Sequence, residues 1–418
     1  MRLSASTLRA ATAAVDLACQ LEHPADAALR DFFRNHHEIG SHDRAFVADT
    51  VFAVLRNKRL LEAIVPAPTP RRLVIGSLVK VQGLSIGSIE PLLDARDREW
   101  LVQVKRAEVE ALAPEVRLSL PDWLWERLRA RHGEPEAIAL ARALLAPAPL
   151  DLRVNTMIAD REEVLQAFAH EAIPASPTPY SPVGIRLAGK IAINRNPLYL
   201  RGAIEVQDEG SQLLGMLVAP KRREMVVDFC AGAGGKTLLM GALMHGQGRL
   251  YAFDVSAKRL DGLKPRLKRS GLSNVHPQLI GGENDPKVKR LAGKIDRVLI
   301  DAPCSGSGTL RRNPDMKWRQ SAQWLTELSA KQRSILGAAA KLLKPGGRLV
   351  YATCSLLEEE NEQAVEAFLA AQRDFALLDC QQVLDEQRIA LQTGRYLQLY
   401  PHRHATDGFF AAVLERKP

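Results

Sequence analysis

The sequence predicts three folded parts: an all-α region at residues 1–145, a small α+β module at 146–215, and a doubly wound α/β domain at 216–418. Three observations carry this reading. The chain has 418 residues, room for two or three domains at about 150 residues each. Its apolar period changes near Pro147-Ala-Pro149 from helical to alternating. After Met225 short apolar runs alternate with helix-length stretches, the pattern of a parallel sheet with helices on its faces.

In the first part, the segment from Ser41 to Leu55 sets Phe46, Val47, Val51, Val54 and Leu55 on one helical face. Further amphipathic helices are predicted at Arg72–Gln82 and Trp123–His132, with Pro66-Ala-Pro-Thr-Pro70 as a breaker and Pro121 just before a helix. In the second, Leu150–Asn155 alternates like a strand, Arg161–His170 follows as a helix capped by Asp160, and a proline-rich stretch leads to strand-like residues at Gly184–Leu187. In the third, Val226–Cys230, Leu250–Asp254, His276–Ile280, Arg297–Asp301 and Arg348–Thr353 are the predicted parallel strands. Helices are predicted between them at Lys236–Met244, Ala257–Lys268 and Ala322–Leu343.

Composition narrows the function classes. An apolar fraction of 46% excludes a disordered or collagen-like chain. Lysine and arginine number 57 against 48 acids, and the excess is local: residues 1–145 carry net +1, 146–215 net −2 and 216–418 net +10. A polyanion such as nucleic acid would be drawn to that last part. The five cysteines, Cys19, Cys230, Cys304, Cys354 and Cys380, are scattered without a C-x-x-C pair, which argues against a disulfide framework and a thiolate metal site. His36, His37 and His42 lack metal-ligand spacing, and no metal is expected. No run of 18 apolar residues and no apolar leader segment occurs, so the expectation is a cytoplasmic protein with no membrane partner, and a monomer.

In a doubly wound sheet, ligands bind beyond the carboxyl ends of the strands. All five predicted ends carry polar or glycine-rich residues: Gly232-Ala-Gly-Gly235, Asp254, Gly281-Gly-Glu-Asn284, Asp301-Ala-Pro-Cys304 and Thr353-Cys-Ser355. Glycines admit a ligand close to the backbone, and the helix start beyond them favours negative charge. Asp254, 20 residues past Gly234, is placed to bind the ribose hydroxyls of an adenine nucleoside, so NAD and S-adenosylmethionine both fit. Neither G-x-G-x-x-G nor a phosphate-binding G-x-x-x-x-G-K-[ST] is present, which argues against a nucleoside triphosphatase. Asp228 either caps the glycine loop or faces ligand.

Three ordered motifs decide among these. Val227-Asp-Phe-Cys-Ala-Gly-Ala-Gly-Gly-Lys-Thr237, Asp301-Ala-Pro-Cys-Ser-Gly-Ser-Gly308, and Tyr351-Ala-Thr-Cys-Ser355 with Glu359-Glu-Asn361 resemble the RNA cytosine-5 methyltransferases of the Nop2/Sun family. The bacterial 16S ribosomal-RNA (RsmB-like) branch, with its NusB-like helical N-terminal domain, looks most similar. The stretch His42–Arg56 resembles part of that domain; Arg153-Val-Asn155 and Val206–Gln212 resemble the family's small RNA-binding module and its junction; Pro401 and Asp407-Gly-Phe-Phe410 match its closing strands. The likeness spans most of the chain and is strongest over 200–418.

The resemblance implies a Rossmann-like class I methyltransferase domain that moves a methyl group from S-adenosylmethionine to C5 of a cytosine in RNA, most naturally ribosomal RNA. It implies Cys354 as the nucleophile that adds to C6, Cys304 as the thiol that assists release, and Asp301 as the acid holding the cytosine edge. The cofactor set it implies is Cys230, Ala231, Gly232, Ala233, Gly234, Gly235, Lys236, Asp254 and Asp301, with Arg259 supporting Asp254. An acid is expected after the third strand, where Glu283 and Asn284 are the candidates. Such chemistry needs activation, because a free thiol is only about 3% ionised at neutral pH.

From the residues alone, Arg311, Arg312, Lys317 and Arg319 beside Trp318 suit phosphate contact and base stacking, and are expected to bind RNA. Cys19 and Cys380 are expected to be packing residues, and His402 and His404 to lie on a solvated loop. Two rivals follow: a DNA cytosine-5 methylase attacking through Cys304, and a non-catalytic RNA-binding assembly factor.

Overall fold

The computed structural model describes residues 3–94, 96–189 and 191–418. It divides into two compact units, one formed by residues up to Pro147 together with Thr309–Ala322, the other by Ala148–Gly308 and Gln323–Pro418. This division differs from the expected 1–145, 146–215 and 216–418: the α+β module belongs to the same unit as the α/β domain, and a piece of the latter's sequence belongs to the helical unit.

The helical unit contains Ala5–Cys19, Ala25–Asn35, Ser41–Arg56, Pro70–Lys80, Asp97–Arg106, Asp122–His132 and Glu134–Leu145 among its helices. Val47, Val51, Val54 and Leu55 are buried as their spacing predicts, against Ala11, Val15, Val74 and Leu101. Pro70 opens its helix behind Thr69, whose hydroxyl accepts from the Arg72 N–H, and Pro121 immediately precedes Asp122.

The other unit holds two sheets. Strands β1 (Leu150–Val154), β2 (Ala175–Pro177), β3 (Gly184–Leu187) and β4 (Ile204–Val206) form an antiparallel sheet in the order β2-β3-β1-β4. Leu152, Val154 and Ile204 face the helix Arg161–His170, which begins with a reciprocal Asp160–Glu163 cap. Asp151, Arg153 and Glu205 occupy the other face.

The large sheet comprises β5 (Met225–Asp228), β6 (Arg249–Asp254), β7 (Val275–Leu279), β8 (Ile295–Asp301), β9 (Leu343–Thr353), β10 (Phe375–Leu378), β11 (Leu397–Leu399) and β12 (Phe409–Arg416). Its order is β7-β6-β5-β8-β9-β12-β10, with β11 also on β12. The pairs among β5 to β9 are parallel, and β12 runs antiparallel to β9. All five predicted strands form within a few residues of their expected bounds. Chain order reverses between β5 and β8, which opens a crevice at their carboxyl ends. Pro401 is not in a strand; it starts the helical turn Pro401–His404, as its fixed φ favours.

Two glycines shape the crevice. Gly234 is left-handed (φ 84°), and a Cβ there would lie 2.1 Å from Leu263. Gly308 lies so close to Gly408 that a Cβ would meet the Gly408 carbonyl oxygen at 2.1 Å. The two backbones are joined by the Gly408 N–H donating to Gly308 O at 2.8 Å.

Candidate active site at the strand ends

At the end of β5, Asp228 is buried and accepts from the Thr237 hydroxyl at 2.6 Å, tying the strand to the first turn of the helix Gly235–Leu243. Burial lifts this carboxyl to about 7, against the pull of that hydrogen bond. Asp228 therefore supports the glycine loop. The loop itself is held from below: the Ala231 N–H donates to Phe253 O, and the Gly232 N–H to Asp254 Oδ2 at 2.8 Å.

Asp254 also accepts from the Ser256 N–H at 2.7 Å. A carboxylate offers about four lone-pair directions, so two remain for hydroxyl groups. Arg259 stands 3.9 Å away and is mostly exposed, a weak support at best. Beside Asp254, Val255 is 63% exposed and Leu279, at the end of β7, 46%. Exposed aliphatics at two neighbouring strand ends suit the face of an adenine ring, and the backbone loop with Asp254 suits its ribose; this donor set fits S-adenosylmethionine.

The predicted contact after β7 is not arranged that way. Glu283 accepts from Lys331 Nζ and Ser334 Oγ, each at 2.6 Å, both on the helix Ala322–Ala340. These bonds hold its carboxyl down at about 2. Each oxygen accepts one bond that packs the loop against that helix, and Asn284 is exposed. Glu283 thus anchors its loop to that helix.

At the end of β8, Asp301 Oδ2 accepts from Lys236 Nζ at 2.7 Å. Burial alone would pull the ammonium down, but the adjacent Asp301 carboxylate outweighs it and leaves Lys236 above the usual lysine value. The same ammonium lies 5.8 Å from the Phe409 ring centroid, at the start of β12. Lys236 was expected only as part of the cofactor loop; its pairing with Asp301 depends on the crossing from β5 to β8, which a linear motif does not display.

Three residues beyond Asp301, Cys304 meets Cys354 with sulfurs 3.2 Å apart, and the Cys354 N–H donates to Cys304 Sγ at 3.3 Å. The hydrogen bond to Cys354, then burial, raise the Cys304 thiol well above its ordinary value. Either sulfur can donate in this contact. Burial raises Cys230 well above its ordinary value too, with Asp228, Asp301 and Asp254 adding to it, and pushes Cys19 and Cys380 to about 11 and about 12. Those three are packing thiols.

The basic segment is placed otherwise than its charge suggested. It packs within the helical unit, where Lys317 Nζ donates to Arg56 O at 2.9 Å and Trp318 Nε1 to Leu55 O at 2.7 Å. Both carbonyls belong to the last turn of Ser41–Arg56, whose backbone acceptors have no helical partner. Arg56 in turn donates to Arg311 O, and Asp315 accepts from the N–H of Ala25, first residue of its helix. Arg311 and Lys317 are buried, and burial lowers Lys317 to about 7. Lys317 caps the end of Ser41–Arg56; Arg312 is half-buried, and Arg319, the most exposed, lies 3.6 Å from Asp315.

Comparison with known proteins now decides the family. The profile described as “16S rRNA methyltransferase RsmB/F” matches residues 215–415, and that of the “Methyltr_RsmF/B-like, ferredoxin-like domain” matches 120–194. A Synechocystis protein named “Probable ribosomal RNA small subunit methyltransferase B” is 32% identical, with 91% of this chain and 93% of that one aligned. The chain belongs to the RsmB/F methyltransferase family. A Bacillus subtilis protein of the same name is 35% identical over 74% of this chain and 68% of its own. Among solved structures, PH0851 superposes over the full length of both chains with a TM-score of 0.81 at 27% identity. A methyltransferase homologue from Pyrococcus horikoshii does so over 72% of this chain and 97% of its own, with a TM-score of 0.63 at 29% identity. S-adenosylmethionine is the cofactor of this RsmB/F family member, and the β5–β6 edge is where its residues meet the requirements. No helix among the described residues is long and apolar enough to cross a membrane.

Proposed function

We propose that the protein methylates C5 of a cytosine in RNA, with small-subunit ribosomal RNA as the substrate class that the names of its relatives suggest. The observation that carries this reading is the pair of thiols 3.2 Å apart beside the Asp301–Lys236 ion pair, all at neighbouring strand ends.

Cytosine C5 is a weak nucleophile. Addition of the Cys354 sulfur to C6 turns the ring into an enamine whose C5 is electron-rich, and S-adenosylmethionine, bound by the glycine loop and Asp254, supplies the electrophilic methyl group. Asp301 has Oδ1 left for the N3–N4 edge of the base, while Lys236 holds Oδ2 and fixes the carboxyl group's rotation. Loss of the C5 proton and expulsion of the sulfur complete the reaction: Cys304, in contact with Cys354, is placed to hand its thiol proton to the departing sulfur and, as the resulting thiolate, to take up the proton from C5, which restores both thiols. The base must be unpaired or flipped for its ring face to be reached.

The rival in which Cys304 attacks predicts the opposite pair of mutant phenotypes. In single turnovers, Cys304→Ala is expected to accumulate a denaturant-resistant enzyme–RNA adduct and Cys354→Ala none; the reverse result overturns the assignment. Bisulfite sequencing of RNA from a strain lacking the gene is expected to show one lost 5-methylcytosine, and its absence would remove the cytosine reading. We infer a cytoplasmic location from the same substrate.

A further inference from the structure

Cys304 and Cys354 sit on different loops, after β8 and β9, and two loop residues do not stay 3.2 Å apart without a tie between the loops. Behind them lies a buried polar cluster that the reaction as derived does not use. Glu360, fully buried, accepts from the Ser305 N–H at 2.8 Å and from Gln332 Nε2 at 2.9 Å through Oε1, and pairs with the Ser355 hydroxyl through Oε2. Gln332 also donates to Pro303 O at 2.9 Å. The hydroxyls of Ser305, Ser307 and Ser355 lie within 3.1–3.3 Å of one another. Ser305 follows Cys304, and Ser355 follows Cys354.

Burying a carboxyl group is costly unless its oxygens are well satisfied, and burial here raises Glu360 above the ordinary glutamate value. An apolar residue would fill the same space with no such cost. What the carboxyl group adds is a two-ended tie, one oxygen to each thiol-bearing loop.

We propose that Glu360 is the positioning residue of the thiol pair: by bonding the residue after each cysteine, it sets the Cys304–Cys354 separation on which handover from the attacking to the releasing thiol depends. This rests on the two-thiol reading above, and its signature is specific. Glu360→Ala leaves Cys304 present but displaced, so it imitates Cys304→Ala. Turnover falls roughly 10- to 100-fold, the loss expected of a displacement near 1 Å, while KM for RNA and for S-adenosylmethionine stays within about 3-fold and the denaturant-resistant adduct accumulates. Glu360→Gln preserves both ends of the tie, its carbonyl facing Ser305 and its amide donating to Ser355 Oγ, and restores turnover to within about 3-fold of wild type. General damage to the fold lowers adduct and turnover together and gives no such pattern.

A second measurement does not require catalysis. Diamide takes two electrons and two protons from a thiol pair, closing a disulfide and becoming the hydrazine, and the loss of two alkylatable thiols reports the rate. Cross-linking of Cys304 with Cys354 is expected to be at least 10-fold slower in Glu360→Ala than in wild type. If that variant does not fold, Ser355→Ala removes one end of the tie and takes its place in both experiments, with smaller effects in the same direction. Wild-type turnover and cross-linking in the alanine variants overturn the proposal, and so does Glu360→Gln failing as badly as Glu360→Ala, which would mean that charge rather than position matters. A Cys304→Ala enzyme that accumulates no adduct sinks the two-thiol chemistry instead, and the cross-linking rates then judge the positioning by themselves.

Discussion

Two consecutive stretches of chain, Asp301–Gly308 and Thr309–Ala322, look alike as sequence: both are polar, both follow the same strand, and both were expected at the site. The fold treats them differently. The first stays at the edge of the sheet, fixed by Lys236, Glu360 and the Gly408 backbone. The second packs into the helical unit, where its lysine and tryptophan cap one helix and its aspartate another. Charge marks a residue as needing a partner. Whether that partner is a phosphate or the unpaired carbonyl of a helix end is set by which surface the segment reaches, and a lysine satisfies either one.

Changes at each stretch should therefore break different things. The largest effect belongs to the strand-end side: Cys354→Ala is expected to lower methyl transfer by at least about 10³-fold with unfolding unchanged. If it instead lowered stability and spared transfer, the strand-end edge would be structural and not the seat of the chemistry. Next comes Asp254→Ala, which removes the acceptor for the Gly232 and Ser256 N–H groups and two lone-pair sites for ribose. The expected loss is about 10- to 100-fold in S-adenosylmethionine affinity by calorimetry, the worth of one or two charge-assisted hydrogen bonds; unchanged affinity would remove Asp254 from the site.

On the helical side the readout is stability against pH. Burial lowers Lys317 to about 7 in the folded protein, while the unfolded chain keeps an ordinary lysine value. Below pH 7 both states hold the proton and the cost of a buried charge is constant. From pH 7 towards 10.5 the folded state sheds it and the unfolded state does not, so unfolding free energy rises, by at most about 1.4 kcal/mol per pH unit. Urea midpoints are expected to climb between pH 7 and 9.5 in the wild type relative to Lys317→Met; parallel curves would mean that the amine is solvated, and would reopen an RNA role. The smallest effect sharpens the picture within the sheet: Glu283→Gln is expected to change cofactor affinity less than about 3-fold, because its oxygens are occupied by Lys331 and Ser334. A larger loss would restore Glu283 as a ligand.

How legible all this was in the sequence depends on the kind of information each residue carries. The parallel strands were plain because a strand covered on both faces must be apolar along its length, as Val298, Leu299 and Ile300 are. The strand-end residues followed from topology, since ligands collect there whatever the sequence. The nucleophile assignment rests on family likeness; the contact between the two sulfurs spans 50 positions and leaves no trace in the linear sequence. The Lys236–Asp301 pair spans 65 positions and the Ser305–Glu360 tie 55, and neither separation leaves a periodic trace. At Glu283 the linear sequence does not show whether an acid at that distance from a strand meets a ligand or, as here, bonds a neighbouring helix. The burial of Lys317 was not legible, because a buried lysine and an exposed one are the same letter.

The contact of Gly308 with Gly408 carries a consequence for how this protein can change over time. A side chain at 308 strikes the carbonyl oxygen of 408, and one at 408 comes within 2.8 Å of the Gly308 Cα. Because each clash is with backbone, no change at one position makes room for a side chain at the other, and both codons stay glycine whatever the rest of the chain does.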